Sequence, residues 1–397
     1  MKTSPVMFKQ SKQAFDKYAI KLKSFWRNAF SIYGIDMCSD GKVSQRNQTI
    51  FAILALIQFT ILLHFMVSNI YTILSESTIT KIGYYAGLIV SGFISVYNMW
   101  SMNKRRKTMS KLHDDAISHL SGYTECVKKL WNYCVITSVC LLTLCIVDGL
   151  CSVVEVLEAN VQVYNFTSLY FFNIDIADED LYITRIVVAI EFFTVLFVSA
   201  EFVNLSVGFF THMCHLVYYR FKHLNVKLEK ILRSGKQLSN YDLFEYRKKH
   251  QLACEVTEEL SCVWSPLILF WLFGFILSLC FDLRALNLQG SCLQVIAYGT
   301  DILRQLWLIF ELFKAASLVN VEAHKLTEKL VTFSISKSAL MDTDQMDYYV
   351  NYLLLNERLI NTRIGINASG LFLLNYSSFL SMVGTVLTYV IVLYQSY

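Results

Sequence analysis

Seven long apolar stretches alternate with charged segments along the 397 residues, and each is long enough to cross a bilayer as a helix, which takes about 20 residues. The predicted spans are 49–74, 82–102, 130–156, 183–210, 263–281, 301–320 and 364–397. The sixth is interrupted by Arg304, Glu311 and Lys314, and we retain it because the charge distribution requires a crossing there. The pattern predicts an all-α membrane protein with seven transmembrane helices.

Amphipathic patterns outside these spans predict further helices. Bases and apolar residues interleave over 10–35, which is typical either of a helix on the inner leaflet or of simple charge control of topology. Apolar residues at helical spacing continue beyond the fourth span to Gly235, and they recur over 241–262 and 345–360. These three segments predict a helical bundle, used either for packing or for subunit contact. The fifth span is predicted to start with Ser265-Pro266, as an N-cap and a first-turn proline.

Composition supports a membrane protein. Hydrophobic residues make up 55% of the chain and charged residues 17%, and the mean hydropathy is +0.43. An ordinary soluble domain is closer to about a quarter charged. The N-terminus lacks the apolar core of a cleavable signal peptide, so we expect the first span to direct insertion.

Lysine and arginine are distributed unevenly. The segments 1–48, 103–129, 211–262 and 321–363 contain 30 of the 35, whereas the alternating loops 75–81, 157–182 and 282–300 contain 2. Cytoplasmic loops collect these residues, so we expect a cytoplasmic N-terminus and, after seven crossings, an extracellular C-terminus. The loop 157–182 agrees, since it has no base and carries a glycosylation sequon at Asn165. Receptors coupled to G proteins have the opposite orientation, which disfavours that class.

The sequence shows no pattern of catalysis or metal binding. It has no catalytic Ser-His-Asp grouping, P-loop or HExxH run, and its eleven cysteines form no CxxC pair. We therefore expect no enzymatic activity, no cofactor and no metal site. Cys151, Cys280 and Cys292 lie toward the expected outer side, where one disulfide to Cys292 is chemically allowed.

Three motifs together resemble the insect chemoreceptor superfamily, and gustatory receptors in particular. They are an RF-x-x-LN run (Arg220, Phe221, Leu224, Asn225), a GLF run (Gly370, Leu371, Phe372) and a terminal TY-to-Gln signature (Thr388, Tyr389, Gln395). The chain departs from the family pattern at Ser369, which is usually Cys, and at Ser396, which is usually Phe.

The resemblance implies a tastant-gated, nonselective cation channel in the plasma membrane of a sensory neuron. It would assemble as a homotetramer, or with related receptor subunits, around a central pore. The implied regions are a cytoplasmic N-terminal segment (1–48), a six-helix ligand-binding region (49–320) with a cytoplasmic extension (211–262), an anchor-helix region (321–363) and a pore-lining helix (364–397). The alternatives are an odorant-receptor-like channel subunit, or a non-channel seven-helix receptor or transporter of inverted topology.

Polar residues on the last span predict the pore wall. Thr388, Val392 and Gln395 fall on one helical face, and the face continues inward through Ser381 and Thr385. Uncharged hydroxyls and amides suit cation passage, and a ring of valines suits closure by dewetting. Near the two ends of this span, Asn375, Ser378 and Ser396 are further pore candidates. The alternative is that such residues only form hydrogen bonds between helices.

Charged residues within lipid tend to face cavities or partners, so they predict a ligand pocket. By depth along each span, one level in the outer half holds the predicted ligand-binding residues Tyr84, Tyr85, Asp148, Glu191, Arg304, Trp307 and Glu311. Carboxylates and aromatic rings fit either a sugar or polyol, or a cationic bitter alkaloid. The alternative is that Arg304 neutralises Asp148 or Glu191 to hold helices together. Glu201, nearer the cytoplasmic end, is expected to be structural.

Overall fold

Helices account for nearly all of the computed structural model, which describes residues 5–37, 45–75, 79–157, 181–233, 239–286, 292–326, 343–361 and 364–395. The helices are α1 (Pro5–Ile32), α2 (Gln45–Ser75), α3 (Ile79–Ser118), α4 (Thr124–Leu157), α5 (Leu181–Leu196), α6 (Phe202–Arg233), α7 (Asn240–Leu286), α8 (Cys292–His324), α9 (Thr343–Asn361) and α10 (Tyr376–Gln395). A π-helical turn, Phe197–Glu201, joins α5 to α6. Two short strands, β1 (Asn367–Ala368) and β2 (Phe372–Leu373), precede α10. Among the described residues, the predicted all-α class is thus confirmed apart from one hairpin.

Four helical stretches of the described chain are long and apolar enough to cross a membrane: Ala52–Ser75, Thr124–Val154, Tyr182–Ile231 and Asn240–Leu283. They contain or overlap the predicted first, third, fourth and fifth spans. The predicted second, sixth and seventh spans lie on α3, α8 and α10, which are not among the four. For these three helices a membrane crossing remains a prediction.

The core lies where α4, α6, α7 and α8 pack together, with α1 and α3 against them. Large side chains such as Phe209, Trp264 and Phe313 are fully buried there. Gly274 lets α3 approach α7 closely, because a Cβ at this position would clash with Ile94 Cδ1. Small residues at helix contacts are the usual way in which membrane helices pack tightly.

The apolar face of α1 packs into the protein rather than onto a leaflet. Phe15, Ala19, Leu22, Trp26 and Phe30 recur at intervals of three or four residues and are all buried in the core. A stripe of this kind can be covered by lipid or by other helices, and the sequence does not distinguish the two. The interpretation of 10–35 as an inner-leaflet helix is therefore wrong for this face.

Pro266 lies inside α7, which runs without a break through the predicted boundary at 262–263. A proline inside a helix removes one N–H donor and crowds the carbonyl one turn earlier. Carbonyls of this region are engaged from outside α7, because Arg105 Nη1 donates to the Val263 carbonyl and Ser369 Oγ donates to the Ser265 carbonyl at 3.3 Å. The prediction that Ser265 caps a new helix is wrong, and its hydroxyl instead donates to Asn367 Oδ1 at 2.9 Å.

The last helix begins at Tyr376, twelve residues after the predicted start of the span at 364. The intervening residues form the antiparallel β1–β2 hairpin, in which Asn367 pairs with Leu373 and Ala368 with Phe372. Its turn has positive φ at Ser369 (50°) and Gly370 (74°), as a type I′ turn requires. An uncharged apolar run predicts a helix or a strand equally well, which explains the misplaced start.

The three helices predicted beyond the fourth span are present and pack on one another. Leu228 of α6, Leu243 and Tyr246 of α7, and Tyr352 and Leu355 of α9 share one buried cluster. The described part of α6 ends at Arg233, close to the predicted end at Gly235. This cluster, called the anchor bundle below, is packed separately from the core.

Candidate functional site

Arg304 is at the centre of a buried polar network between α4, α6, α7 and α8. The side chain is only 8% exposed, and its Nε donates to Asp301 Oδ1 at 2.8 Å. Nη2 also contacts Asp301 Oδ1, and Nη1 donates to Asn204 Oδ1 at 3.0 Å. Asp301 precedes Arg304 by three positions, so the two side chains share one face of α8. The guanidinium is therefore held by its own helix and by α6.

The network continues to the π-helical turn at the end of α5. Asn204 Nδ2 donates to Glu201 Oε2 at 2.9 Å, and Glu201 is the last residue of that turn. A π-helical turn inserts an extra residue into the helix and is frequent at functional sites. Asp148 of α4 is 8% exposed and interacts electrostatically with both Asp301 and Arg304. Glu201 thus reaches Arg304 through Asn204, and Asp148 lies near both Arg304 and Asp301.

A second arm of the network runs from α8 to α7. Gln305 Nε2 donates to Ser278 Oγ at 2.9 Å and to Asp282 Oδ2 at 2.9 Å, and it also contacts Asp301 Oδ2. With both arms, four carboxylates accompany one guanidinium among the described side chains of this network. Charges buried within a membrane protein are costly unless they are paired or serve a ligand or ion.

Of the predicted ligand-binding residues whose side chains are described, the structure brings Asp148 and Arg304 together and separates Glu191, Trp307 and Glu311 from them. Glu191 contacts His64 of α2, with 2.6 Å between Oε1 and Nδ1. Glu311 accepts hydrogen bonds from Tyr133 and from Lys314, the latter at 2.9 Å. Neither carboxylate is hydrogen-bonded to Arg304, so the proposed neutralisation of Glu191 by Arg304 is not what the structure shows.

Trp307 is the predicted aromatic residue whose side chain the structure describes, and it is not part of this network. Trp307 is 42% exposed on the outside of α8. Tyr84 and Tyr85 belong to α3, but their side chains lie outside the described residues. The network partners that sequence reasoning missed are Asp301, Asn204, Ser278, Asp282 and Gln305, and Glu201 was expected only to be structural. The three-residue spacing of Asp301 and Arg304 was the available signal for one of them.

A small cavity adjoins the network between α1, α4 and α6. It is lined by Trp26, Tyr133, Glu201, Asn204 and Thr211 among others, and its volume is about 10 Å³. That is roughly the space that one water molecule needs, whereas pockets for organic ligands are about 300–1,000 Å³. A ligand of tastant size would enter this cavity only if α4 and α6 moved apart.

α10 packs on the rest of the chain along a narrow edge. Phe379 contacts the core, with its ring centroid 5.5 Å from that of Phe313, and Met382 packs beside it. Thr388 lies about 180° around the helix from Phe379. The predicted pore residues Ser381, Thr385, Thr388 and Val392 are all exposed. Most of the described surface of α10 is therefore not covered by the rest of the described chain.

The threonine hydroxyls on this surface are oriented by hydrogen bonds to their own helix. Thr385 Oγ1 donates to the Ser381 carbonyl at 3.0 Å, and Thr388 Oγ1 donates to the Gly384 carbonyl at 2.9 Å. With the hydrogen directed to the helix, each oxygen presents its lone pairs outward. Such a surface attracts cations rather than anions. Gln395 belongs to α10, but its side chain and the whole of Ser396 lie outside the described residues.

The resemblance motifs occupy structural positions. Asn225 is 1% exposed and donates to the Glu322 carbonyl at 2.7 Å, while Tyr246 donates to Asn225 Oδ1 at 2.8 Å. Phe221 is fully buried against the ring of His250. Arg220 and Leu224 belong to the same stretch of α6, and Leu224 packs on the anchor bundle.

The hairpin and α10 hold the remaining motifs. Gly370 supplies the positive φ of the turn, Leu371 follows it 70% exposed, and Phe372 starts β2. Tyr389 of α10 is 52% exposed rather than packed on neighbouring helices. Ser369, in the position of the usual Cys, binds Ser265 through its N–H and its hydroxyl.

Cysteines and modification sites add little to the site. Cys151, Cys280 and Cys292 are free thiols, as are the other described cysteines. The sequon at Asn165 lies outside the described residues. Among the described residues, no group of three or more His, Cys, Asp or Glu side chains is arranged to hold a metal ion.

Comparison with known proteins identifies a family model and a fold. The model described as 7tm Chemosensory receptor matches residues 33–397. The fold is similar to that of the insect olfactory receptor OR5 from Machilis hrabei in complex with eugenol, at 17% identity and a TM-score of 0.75, over 96% of this chain and 99% of that chain. A second structure of that receptor gives 17% identity and a TM-score of 0.74, over 96% and 100%. No curated protein sequence matches the chain.

Proposed function

Since the chain belongs to the 7tm chemosensory receptor family, we propose that it is a gustatory receptor that acts as a tastant-gated, nonselective cation channel. Four subunits surround one pore, in the plasma membrane of a sensory neuron. The observation that carries the proposal is the exposed face of α10. A 20-residue helix with an uncharged, lone-pair-bearing face and few partners in its own subunit is suited to line a shared pore.

The pore wall runs along Ser381, Thr385, Thr388 and Val392 toward Gln395. Hydroxyl oxygens that donate inward replace part of the hydration shell of a passing cation without a fixed charge to bind it tightly. Weak, repeated contacts of this kind favour conduction with little selectivity. Four Val392 side chains form the narrow apolar ring that closes the pore when it dewets.

The tastant site is the network around Arg304, opened by movement of α4 against α6. Four carboxylates, one guanidinium and neighbouring amides offer many hydrogen bonds to a sugar or polyol, and an anionic surface to a cationic bitter compound. This polarity favours a taste ligand over a volatile apolar one. The anchor bundle lies in the cytoplasm and holds subunits together.

The test is expression of the receptor alone in a non-neuronal cell, with surface delivery confirmed and G-protein signalling blocked. A panel divided between sugars and cationic bitter compounds is applied under voltage clamp. We expect a nonselective cation current from one half of the panel. A receptor that reaches the surface but gives no current, alone or with a related subunit, or that responds only when G proteins are active, contradicts the proposal.

The likeness in fold to an olfactory receptor favours one alternative, an odorant-receptor-like channel subunit. A response limited to volatile apolar compounds would select it. A non-channel receptor or transporter of inverted topology is distinguished by absence of current. The shared orientation is tested by an epitope at the N-terminus, which we expect to be reached by antibody only in permeabilised cells.

A further inference from the structure

One exposed stripe of α3 changes from aromatic to basic along its length. Phe93 and Trp100 are 59% and 57% exposed, and the exposed lysines Lys104, Lys107 and Lys111 follow them. These five side chains lie within a sector of about 60° around the helix, because 3.6 residues make one turn. The predicted second span ends at 102, which falls between the aromatic part and the basic part of the stripe.

α7 widens the aromatic part. Tyr97 of α3 packs on Phe270 of α7, with ring centroids 4.3 Å apart, and Phe270 and Phe273 are 43% and 57% exposed. The aromatic part is therefore a surface shared by two helices. Aromatic rings of this kind are typical of the depth at which lipid headgroups begin.

The first lysine of the stripe is turned toward the aromatic part. Lys104 Nζ lies 4.9 Å from the centroid of the Trp100 ring, a cation–π distance. Side chains on a helix point toward its N-terminus, which on α3 is the direction of the predicted span. The ammonium is therefore held at the level where the aromatic surface ends, next to the depth of a lipid phosphate.

The lysines of the stripe lack a counter-charge in the described chain. All three form no ion pair with a described carboxylate, whereas Arg105 and Arg106 each donate a hydrogen bond within the protein. The next acids along α3 are Asp114, which pairs with Lys23 at 2.7 Å, and Asp115. Three positive charges spread over about 10 Å of helix are thus available to an anionic ligand.

We propose that this stripe binds a phosphoinositide, a phospholipid whose headgroup carries several phosphates. Its acyl chains lie on the aromatic surface of Phe93 and Phe270, and its glycerol-linked phosphate lies at Lys104. The phosphates of the inositol ring reach Lys107 and Lys111, which are farther from the predicted span. Basic residues directly beyond a transmembrane helix attract such lipids from the cytoplasmic leaflet. A lipid with one negative charge at the glycerol level leaves the two farther lysines unused.

The lipid site is separate from the proposed tastant network and from the proposed pore wall. It lies on the outside of α3 and α7, whereas the tastant is proposed to enter between α4 and α6. Placement of the lipid in the cytoplasmic leaflet rests on the predicted second span and its orientation. Binding of the lipid in detergent rests on neither, and it is measured without any current, so this proposal and the channel proposal can fail independently.

The experiment is fluorescence anisotropy of the purified full-length receptor in a neutral detergent, with a labelled dioctanoyl phosphatidylinositol bisphosphate as the probe. We expect saturable binding that dioctanoyl phosphatidylserine displaces at least about tenfold less well, because it carries fewer charges. Soluble inositol trisphosphate should also compete at least about tenfold less well, because it has no chains to bury on the aromatic surface. Equal competition by either compound, or no saturable binding, overturns the proposal.

A triple variant tests the basic part of the stripe. It combines Lys104→Gln, Lys107→Gln and Lys111→Gln, which are exposed positions where the substitution disturbs no described ion pair. Each lysine near a membrane surface contributes roughly fivefold to lipid affinity, so the triple variant should bind the probe about 100-fold more weakly. A variant that binds as the wild type does but elutes at a different size in size-exclusion chromatography would assign the stripe to subunit contact instead.

The matched control removes the same charge elsewhere. Lys128→Gln, Lys230→Gln and Lys248→Gln change exposed lysines of α4, α6 and α7, and this triple control should bind within about twofold of the wild type, since distant charges are screened. Trp100→Leu keeps an apolar side chain but removes the ring beside Lys104, and it should weaken binding by roughly two- to fivefold. Equal affinities of the stripe variant and the control overturn the proposal.

Discussion

Asn225 ties three helices together through one side chain. From α6 it reaches the Glu322 backbone and carboxylate on α8, and it accepts a hydrogen bond from Tyr246 on α7. Each of these groups is buried, so each would be costly to leave unpaired. The RF-x-x-LN motif therefore acts as a junction between the core and the anchor bundle, a role that the sequence alone did not indicate.

A second buried junction uses histidine. His113 Nε2 on α3 lies 3.1 Å from His212 Nε2 on α6, and His212 Nδ1 lies 3.3 Å from Cys134 Sγ on α4. Two ring nitrogens can share a hydrogen bond only if one of them carries no proton. Burial lowers the pKa of His113 to about 4. Two smaller effects oppose each other, since Asp114 raises this pKa and Lys23 lowers it.

This junction should make stability depend on pH in one direction. His113 is neutral in the folded protein at pH values where the unfolded chain, with a pKa near 6.5, is already protonated. The contribution of neutral His113 to the free energy of unfolding is fully present above pH 6.5. It decreases by about 1.4 kcal/mol per pH unit as the pH falls toward 4. The unfolding temperature of His113→Gln should therefore fall less steeply than that of the wild type as the pH is lowered from 6.5 to 4.

A substitution of an exposed residue that does not titrate, on the same helix, provides the control. Thr108 of α3 is exposed, so Thr108→Ser should leave the slope as in the wild type. Equal slopes for the wild type and His113→Gln between pH 6.5 and 4 would rule out His113 as the source.

Asn375 decides where the last helix begins. Its Oδ1 accepts from the Ser378 N–H at 2.8 Å, and Ser378 Oγ accepts from the Asn375 N–H at 3.0 Å. This reciprocal pair is a capping box, with Ser in the place of the usual Glu or Gln. Both residues are also pore candidates, and the structure shows that they form the cap of this helix.

Loss of this cap should loosen the first turn of α10. Asn375→Ala removes the acceptor and should cost about 1 kcal/mol of helix stability. Hydrogen exchange of the amides at 376–379, followed by mass spectrometry, should become faster. Asn375→Asp keeps an acceptor oxygen and should exchange as slowly as the wild type. Equal exchange in both variants would show that the cap is not what fixes the start of α10.

The other elements show what patterning can and cannot predict. Apolar runs of about 20 residues predicted the helices, because few structures other than a helix accommodate an apolar run of that length. Pro266 was interpreted as a helix start because a first-turn proline is common, yet contacts from Arg105 and Ser369 let α7 continue. The hairpin was missed although Ser369-Gly370 is a turn signal. The partners of α1 and Arg304 depend on long-range packing, which spacing along the chain does not encode.

The proposed conduction would be a property of an assembled tetramer, and α10 offers a direct test of it. Thr388→Val keeps the shape of the side chain but removes the lone pairs, and Gln395→Ala removes an amide. In recordings of open channels we expect each variant to change cation permeability ratios or to lower conductance by roughly twofold or more. The matched control is Thr143→Val on α4, since Thr143 is also exposed and also donates to a carbonyl four residues earlier, at 2.8 Å. Unchanged permeation in both α10 variants would place the pore on another helix.

The cap at the start of α10 fixes the length of that helix close to the thickness of a bilayer. Its 20 residues rise about 30 Å, which is also about the thickness of the hydrocarbon core. A longer helix such as α7, with 47 residues, can tilt or slide and still cover that distance. α10 cannot lengthen at its N-terminus, because Asn375 caps the helix there and the preceding hairpin is bound to Ser261 and Ser265 of α7. Where α10 crosses the bilayer as predicted, any mismatch between bilayer thickness and this helix would therefore have to be absorbed by the lipid or by the C-terminal end of the helix.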